Sequence, residues 1–151
     1  MPHTGTAPLD TARPDIARLH GEVSHFYARQ MQALDDGRTD DWAQTFTEDG
    51  VFLLHGGHDR ATGRAELAAS SGKARAALAG QNVMHRHWLG MLTVDPRPDG
   101  SVAARCYALV IATAAGGSPA VHRSTVCEDV LVHDGGSWLV RHRQVSRDDL
   151  V

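Results

Sequence analysis

Three side chains in this sequence have the types and spacing needed to move protons. The run MetHisArgHisTrpLeuGlyMet, residues 84–91, reads as a β-strand. Residues two apart in a strand share a face, so His85 and His87 project to one side with Leu89 and Met91, while Arg86 and Trp88 project to the other. Two imidazoles on an otherwise apolar face are costly to bury without partners. Either they are hydrogen-bonded core groups or they line a pocket. The third side chain is Asp35, one helical turn beyond Met31 and two beyond Tyr27, which places the three on one stripe of a helix. An acid at a helix C-terminus opposes the macrodipole, which singles the position out; its neighbour Asp36 points away. A carboxylate beside an imidazole fixes its tautomer and raises its basicity, the arrangement a general base needs.

Other chemistries find less support. His-x-His on a strand plus a carboxylate can form a facial metal site, but spacing assigns neither His122 nor His142 as a third ligand, and the reading is metal-free. Of the ten histidines, His3, His20, His25, His55, His58 and His133 read as tail, surface or capping residues. Cys106 and Cys127 lack CxxC spacing and lie in apolar runs, so they read as buried reduced thiols. No phosphate loop, dinucleotide fingerprint, GxSxG elbow or HExxH helix is present, and no cofactor is implied.

These groups must be positioned by a small domain. A chain of 151 residues, 42% hydrophobic and 22% charged, builds one core and not two. Its net charge of -3 is mild and mixed, which leaves no electrostatic footprint for nucleic acid or a membrane surface. No run approaches the about 18 apolar residues of a membrane span, and the first fifteen residues lack the cationic start and apolar core of a signal peptide. A cytoplasmic protein is the expectation. Fourteen arginines against the single Lys73 read as the codon bias of a GC-rich genome.

Residues 1–13 read as a loose tail and 14–151 as a single domain. A first helix starts near Pro14 and runs to Asp35, with Ile16, Leu19, Val23, Phe26, Tyr27, Gln30, Met31 and Leu34 at helical spacing. Thr39 suits the cap of a second short helix, in which Trp42 and Phe46 face one way. Residues 48–50 turn the chain into a strand, Val51 to His55, and 56–59 form a tight connection. A third helix opens at Thr62, runs through Arg64 to about Leu78 and closes at Gly80. Four strands follow, Asn82–Asp95, Ser101–Thr113, Ala120–His133 and Ser137–Ser146, separated by Gly- and Pro-rich turns. Helices followed by an antiparallel meander make an α+β fold, with a curved sheet folded over a helix.

Several runs carry a family likeness. Residues 27–42 (TyrAlaArgGlnMetGlnAlaLeuAspAspGlyArgThrAspAspTrp), 45–52 (ThrPheThrGluAspGlyValPhe), 61–67 (AlaThrGlyArgAlaGluLeu) and 123–143, which ends TrpLeuValArgHisArg, resemble the SnoaL-like branch of the nuclear-transport-factor-2 superfamily. The likeness spans residues 14–146. It implies a cone: a curved antiparallel sheet wrapped around the N-terminal helices as a cystatin-like α+β barrel, enclosing one deep apolar pocket. Within the superfamily the chain is similar to the scytalone-dehydratase-like branch, which works with a strand His and an Asp at the end of the first helix. ArgHisTrpLeuGly puts His87, and AlaLeuAsp puts Asp35, at the matching positions. Where that branch has a second His on the next strand this chain offers Tyr107. Its two water-holding tyrosines fall on Leu34 and Leu54, and its later-strand Asn has no clear match, though Ser124 and Thr125 lie nearby.

The resemblance implies a cofactor-independent dehydratase or cyclase, a lyase-type enzyme acting by His87/Asp35 acid–base catalysis on an aromatic polyketide-type intermediate. Which of His85 and His87 is the base stays open. Tyr107, Tyr27 and His85 are the expected hydrogen-bonding groups for the substrate oxygen. Met31, Phe52, Leu89, Met91 and Trp42 are the expected apolar walls, with Thr125 also in the substrate site. The rival readings are a ketosteroid-isomerase-like isomerase and a non-catalytic small-ligand-binding module. A homodimer, or a trimer, is expected through the outer sheet face, with Trp88 and Trp138 contributing if they point outward.

Overall fold

A computed structural model describes residues 15–54 and 58–150. The tail expected at 1–13, His3 and His55 lie outside them. Helix α1 spans Ile16–Asp35. Asp15 caps it, its carboxylate accepting the Arg18 N–H at 3.0 Å, and Gly37 at φ +77° ends it in the left-handed conformation that glycine adopts without strain. Its buried positions include Val23, Tyr27, Met31 and Asp35, one residue in four, so Asp35 continues the buried stripe.

Helix α2 is Thr39–Gln44. Thr39 is its first helical residue and not its cap: Arg38 takes that place and makes no side-chain cap bond. Strand β1 (Phe46–Leu54) begins earlier than expected and includes Phe46. The turn anticipated at 48–50 is an irregularity within it, marked by a register shift between Phe46 and Val51. Gly50 is required there, because a Cβ would lie 2.9 Å from that of Phe46. A short strand the sequence did not betray, β2 (Asp59–Thr62), pairs with β1. Helix α3 spans Arg64–Gln81, with the Glu66 carboxylate accepting the Thr62 N–H at 2.7 Å. It passes through Gly80 and stops at Asn82, which takes φ +56°. Strands β3 (Val83–Pro96), β4 (Val102–Ala114), β5 (Ala120–Asp134) and β6 (Ser137–Arg147) follow, then a 3-10 turn, Asp148–Leu150.

The six strands form one curved sheet in the order β2-β1-β6-β5-β4-β3. Its meander is antiparallel as expected, but β1 joins β6 in parallel, so the sheet is mixed. It does not close into a barrel; β2 and β3 are its edges. The helices cover one face, burying Val23, Phe46, Leu67, Cys106, Leu131 and Val140. Among the described residues no helix is long and apolar enough to cross a membrane.

Inside this apolar layer sits an ion pair. Asp129 and Arg143 are direct cross-strand partners on β5 and β6. Arg143 Nε and Nη2 donate to the two carboxylate oxygens at 2.9 and 2.7 Å. Nη2 also donates to Gln30 Oε1 at 2.8 Å, and Tyr27 OH donates to Asp129 Oδ2 at 2.6 Å. Burial, and then Asp129, push the Tyr27 phenol far above its ordinary range. Burial disfavours the charge on Arg143, but Asp129, Cys127 and Tyr27 together outweigh it and raise that pKa. The chain of bonds continues from Gln30 Nε2 to Thr45 Oγ1 at 2.6 Å, tying α1 to the end of α2.

Removing one partner strands a buried charge. Asp129→Ala is expected to destabilise the fold by about 3–5 kcal/mol, and Tyr27→Phe by about 1.5–3 kcal/mol, the range for a hydrogen bond to a charged group. In urea unfolding both midpoints fall with unchanged slopes; a wild-type midpoint for Asp129→Ala contradicts the assignment.

Candidate active site

Between the helices and the covered sheet face lies a cavity of about 480 Å³. Its walls are largely apolar, including Met31, Trp42, Phe52, Leu67, Leu89 and Val110. The size and the few polar groups fit a small-molecule site. A wider, more open groove runs between α1 and the β5–β6 turn, past Arg29, His133 and Trp138; the His–Asp pair lies elsewhere.

His87 enters the cavity from β3, and Asp35, 8% exposed, stands behind it at the end of α1. Asp35 Oδ1 lies 2.6 Å from His87 Nδ1, and Oδ2 accepts the backbone N–H of the same residue at 3.0 Å. One carboxylate therefore grips both the ring and the backbone of His87. An ionised carboxylate only accepts, so Nδ1 carries the proton and Nε2 keeps its lone pair. Arg75, on α3, donates from Nη1 to the Asp35 carbonyl and steadies the helix end that carries the acid. Asp36 is exposed and lies 3.5 Å from Arg38.

His85 lines the cavity as well, its ring 5.1 Å from that of His122. Burial lowers the His85 pKa, and His122, His87 and Arg123 lower it further against a smaller opposing effect of Asp35. Near neutral pH it is therefore a neutral imidazole, able to donate one hydrogen bond. Among the described residues no group of three or more His, Cys, Asp or Glu is placed to hold a metal ion.

The structure thus brings Met31, Trp42, Phe52, His85, His87, Leu89 and Thr125 to one cavity, with Asp35 behind it. The Thr125 hydroxyl is spent on the Ala108 carbonyl at 2.8 Å. Three expected site residues are elsewhere. Met91 is 78% exposed, because a register shift between Gly90 and Thr93 and a φ of +54° turn it off the inward face. Tyr107, 48% exposed, lies on the opposite face under Arg105. Tyr27 is buried, but its hydroxyl is committed to Asp129. Trp88 points outward at 68% exposed, whereas Trp138 meets the His133 ring edge-to-face and packs against the core. Sequence reasoning missed Arg143, His122, Arg123 and Arg147 as lining residues. Leu34 and Leu54 also face the cavity.

The SnoaL-like domain profile matches residues 16–144. Among solved structures, ActVI-ORFA from Streptomyces coelicolor is 33% identical, with a TM-score of 0.83 over 89% of this chain and 98% of that one. Aln2 from a further Streptomyces species is 36% identical, with a TM-score of 0.80 over 88% and 93%. A protein from Catenulispora acidiphila in complex with S-DNPA is 37% identical, with a TM-score of 0.77 over 88% and 96%. No curated protein gives a significant match.

The geometry predicts a tautomer. Long-range proton–nitrogen NMR of the histidine rings should show His87 protonated at Nδ1, and Asp35→Ala should move the population to the Nε2–H form. An Nε2–H ring in the unaltered protein contradicts the carboxylate contact.

Proposed function

Because the chain belongs to the SnoaL-like family, with the NTF2-like α+β fold, we propose that it is a cofactor-independent dehydratase or cyclase acting on an aromatic polyketide-type intermediate. The observation that carries this reading is the Asp35–His87 contact at the wall of an apolar cavity. A relative that holds S-DNPA supports a small-molecule ligand for the same fold.

In the proposed reaction, His87 Nε2 removes the proton α to a ketone, and the Asp35 carboxylate stabilises the imidazolium that forms. The enolate then re-forms the carbonyl as the β carbon–oxygen bond breaks. The departing hydroxyl takes the imidazolium proton and leaves as water. The same enolate attacking a carbonyl or an enone would instead close a ring. Of the three groups expected to hold the enolate oxygen, only His85 lines the cavity, and its neutral ring can donate to it. A ketosteroid-isomerase-like mechanism needs a carboxylate base open to the substrate. Both Asp35 oxygens are engaged by His87, which disfavours that rival.

A simple probe is 3-hydroxy-1-tetralone, which loses water to give 1-naphthol. Wild-type protein should accelerate naphthol formation and, in heavy water, exchange at C2. His87→Gln and Asp35→Asn should each lose about 10²–10⁴-fold of that rate with the folded state retained by circular dichroism. S-DNPA binding, read by Trp42 fluorescence, with no chemistry in the wild type would favour the ligand-binding module. Rates preserved in either variant would end the assignment of this pair.

We also propose a homodimer through the uncovered sheet face. Trp88 pairs across to Leu109, and Gly90 to Tyr107, which pairs on to Val126; these positions make two adjacent outer rows, with Arg86 between Trp88 and Met84. Sedimentation should give a dimer that Trp88→Glu converts to monomer. A monomeric wild type refutes the interface.

A further inference from the structure

Two facing thiols are left unused by the acid–base reading. Cys106 on β4 and Cys127 on β5 are direct cross-strand partners. Both are free and face the core, 1% and 3% exposed. Residues directly opposite in an antiparallel pair have Cα atoms about 4.5–5.5 Å apart and side chains on one face. A disulfide spans Cα separations of about 4.4–6.8 Å. The pair can therefore be bridged with the strands in place.

The two thiols are unequal. Cys127 lines the cavity, as does Ala108, two residues along β4 from Cys106. A thiol has one proton to donate, and Cys127 gives it to Asp129 Oδ1 at 3.4 Å while both sulfurs are reduced. When Cys106 ionises, the Cys127 S–H can turn to its sulfur. That bond holds the Cys106 thiol below its ordinary pKa, against the opposing effect of burial. Sharing its proton with Cys106, then burial and the Asp129 carboxylate, push the Cys127 thiol well up. Thiolate is the nucleophilic form, which makes Cys106 the attacking sulfur and Cys127 the one that follows.

We propose that Cys106 and Cys127 form a peroxide-reactive dithiol that closes into a cross-strand disulfide between β4 and β5. Hydrogen peroxide, little larger than water, enters through the cavity wall at Cys127. The Cys106 thiolate attacks one peroxide oxygen, the O–O bond breaks, and the departing hydroxide takes up the proton Cys106 released and leaves as water. Cys106 is now a sulfenic acid. The Cys127 sulfur attacks the Cys106 sulfur, the S–O bond breaks, and the hydroxyl leaves as water with the Cys127 proton. The thiols lose two electrons and two protons, and the peroxide is reduced to water. A disulfide is neutral and apolar, whereas a sulfinic acid, the next product of oxidation, would set an anion beside Asp129 in the core. The facing thiol stops oxidation at a step that a thiol reductant reverses. This chemistry is independent of the His87–Asp35 reaction.

The test treats the whole folded protein with hydrogen peroxide, blocks the remaining thiols and digests with trypsin. Cleavage after Arg105, Arg123 and Arg141 puts Cys106 in peptide 106–123 and Cys127 in peptide 124–141. Neither contains methionine, so methionine oxidation does not mask the result. Mass spectrometry should find the two peptides linked, at least about tenfold over forms carrying sulfinic acid, because a facing thiol outcompetes dissolved peroxide. The chain should stay monomeric on a non-reducing denaturing gel, and dithiothreitol should restore both thiols. In Cys127→Ser, peptide 106–123 should gain oxygen that dithiothreitol does not remove. In Cys106→Ser, peptide 124–141 should keep its thiol. Unchanged thiols in the wild type, sulfinic acid in place of the link, a link only between chains, or two variants that behave alike overturns the proposal. The wild-type digest decides the disulfide by itself if a variant fails to fold.

Discussion

The Arg143–Asp129 pair is the constraint on which the rest of the molecule turns. Replacing a buried ion pair with apolar residues of similar volume is often neutral or stabilising, so its role here is geometric. Arg143 and Asp129 have directions in which they must be satisfied, and α1 supplies two of the partners, Tyr27 and Gln30. An apolar contact would let the helix slide or roll on the sheet at little cost. Bonds of 2.6 to 2.9 Å to a fully buried pair do not. They set the rotation of α1, and with it the face on which Met31 and Asp35 emerge.

The placement of Asp35 extends that constraint to the cavity. Two turns beyond Tyr27, the helix ends through Asp36 and Gly37, and Arg75 reaches across from α3 to the last carbonyl. The acid then meets β3, an edge strand, whose outer N–H groups have no neighbouring strand to receive them. Asp35 accepts one of these, at His87, while its other oxygen meets the ring of the same residue. A single carboxylate thus docks helix to sheet edge and orients the imidazole. The acid that looked misplaced against the helix dipole is held by contacts its own helix does not supply.

What was legible in the residues follows from how local each signal is. Period-two alternation put His85 and His87 on one face, four-residue spacing put Asp35 on the buried stripe, and the meander strands fell close to their observed ends. Met91, by contrast, follows the same alternation and fails, since a bulge is one extra residue with no mark in composition. The bulge at His122 is hidden for the same reason. Tyr107 could not be placed because its face depends on register with β3 and β5. Tyr27 was judged on its helix position alone, while its partner lies 102 residues away. The parallel joining of β1 to β6 is likewise a long-range choice that no window of sequence contains.

The cavity lining sets the terms on which the proposed chemistry would run. Leu34 and Leu54 face it where the resemblance places water-holding tyrosines. Their apolar side chains lower the local dielectric, which strengthens the attraction between Asp35 and an imidazolium at His87 but raises the cost of forming an enolate that no donor holds. The same substitution removes donors that would polarise a ketone, leaving the neutral His85 ring to hold the developing charge. One positioned base and one weak donor suit a substrate whose α-proton is already acidic, such as one flanked by two carbonyls or leading to a phenol. The driving force then comes from the aromatic ring or conjugation gained on elimination, and the protein has mainly to align the breaking bonds and keep water out.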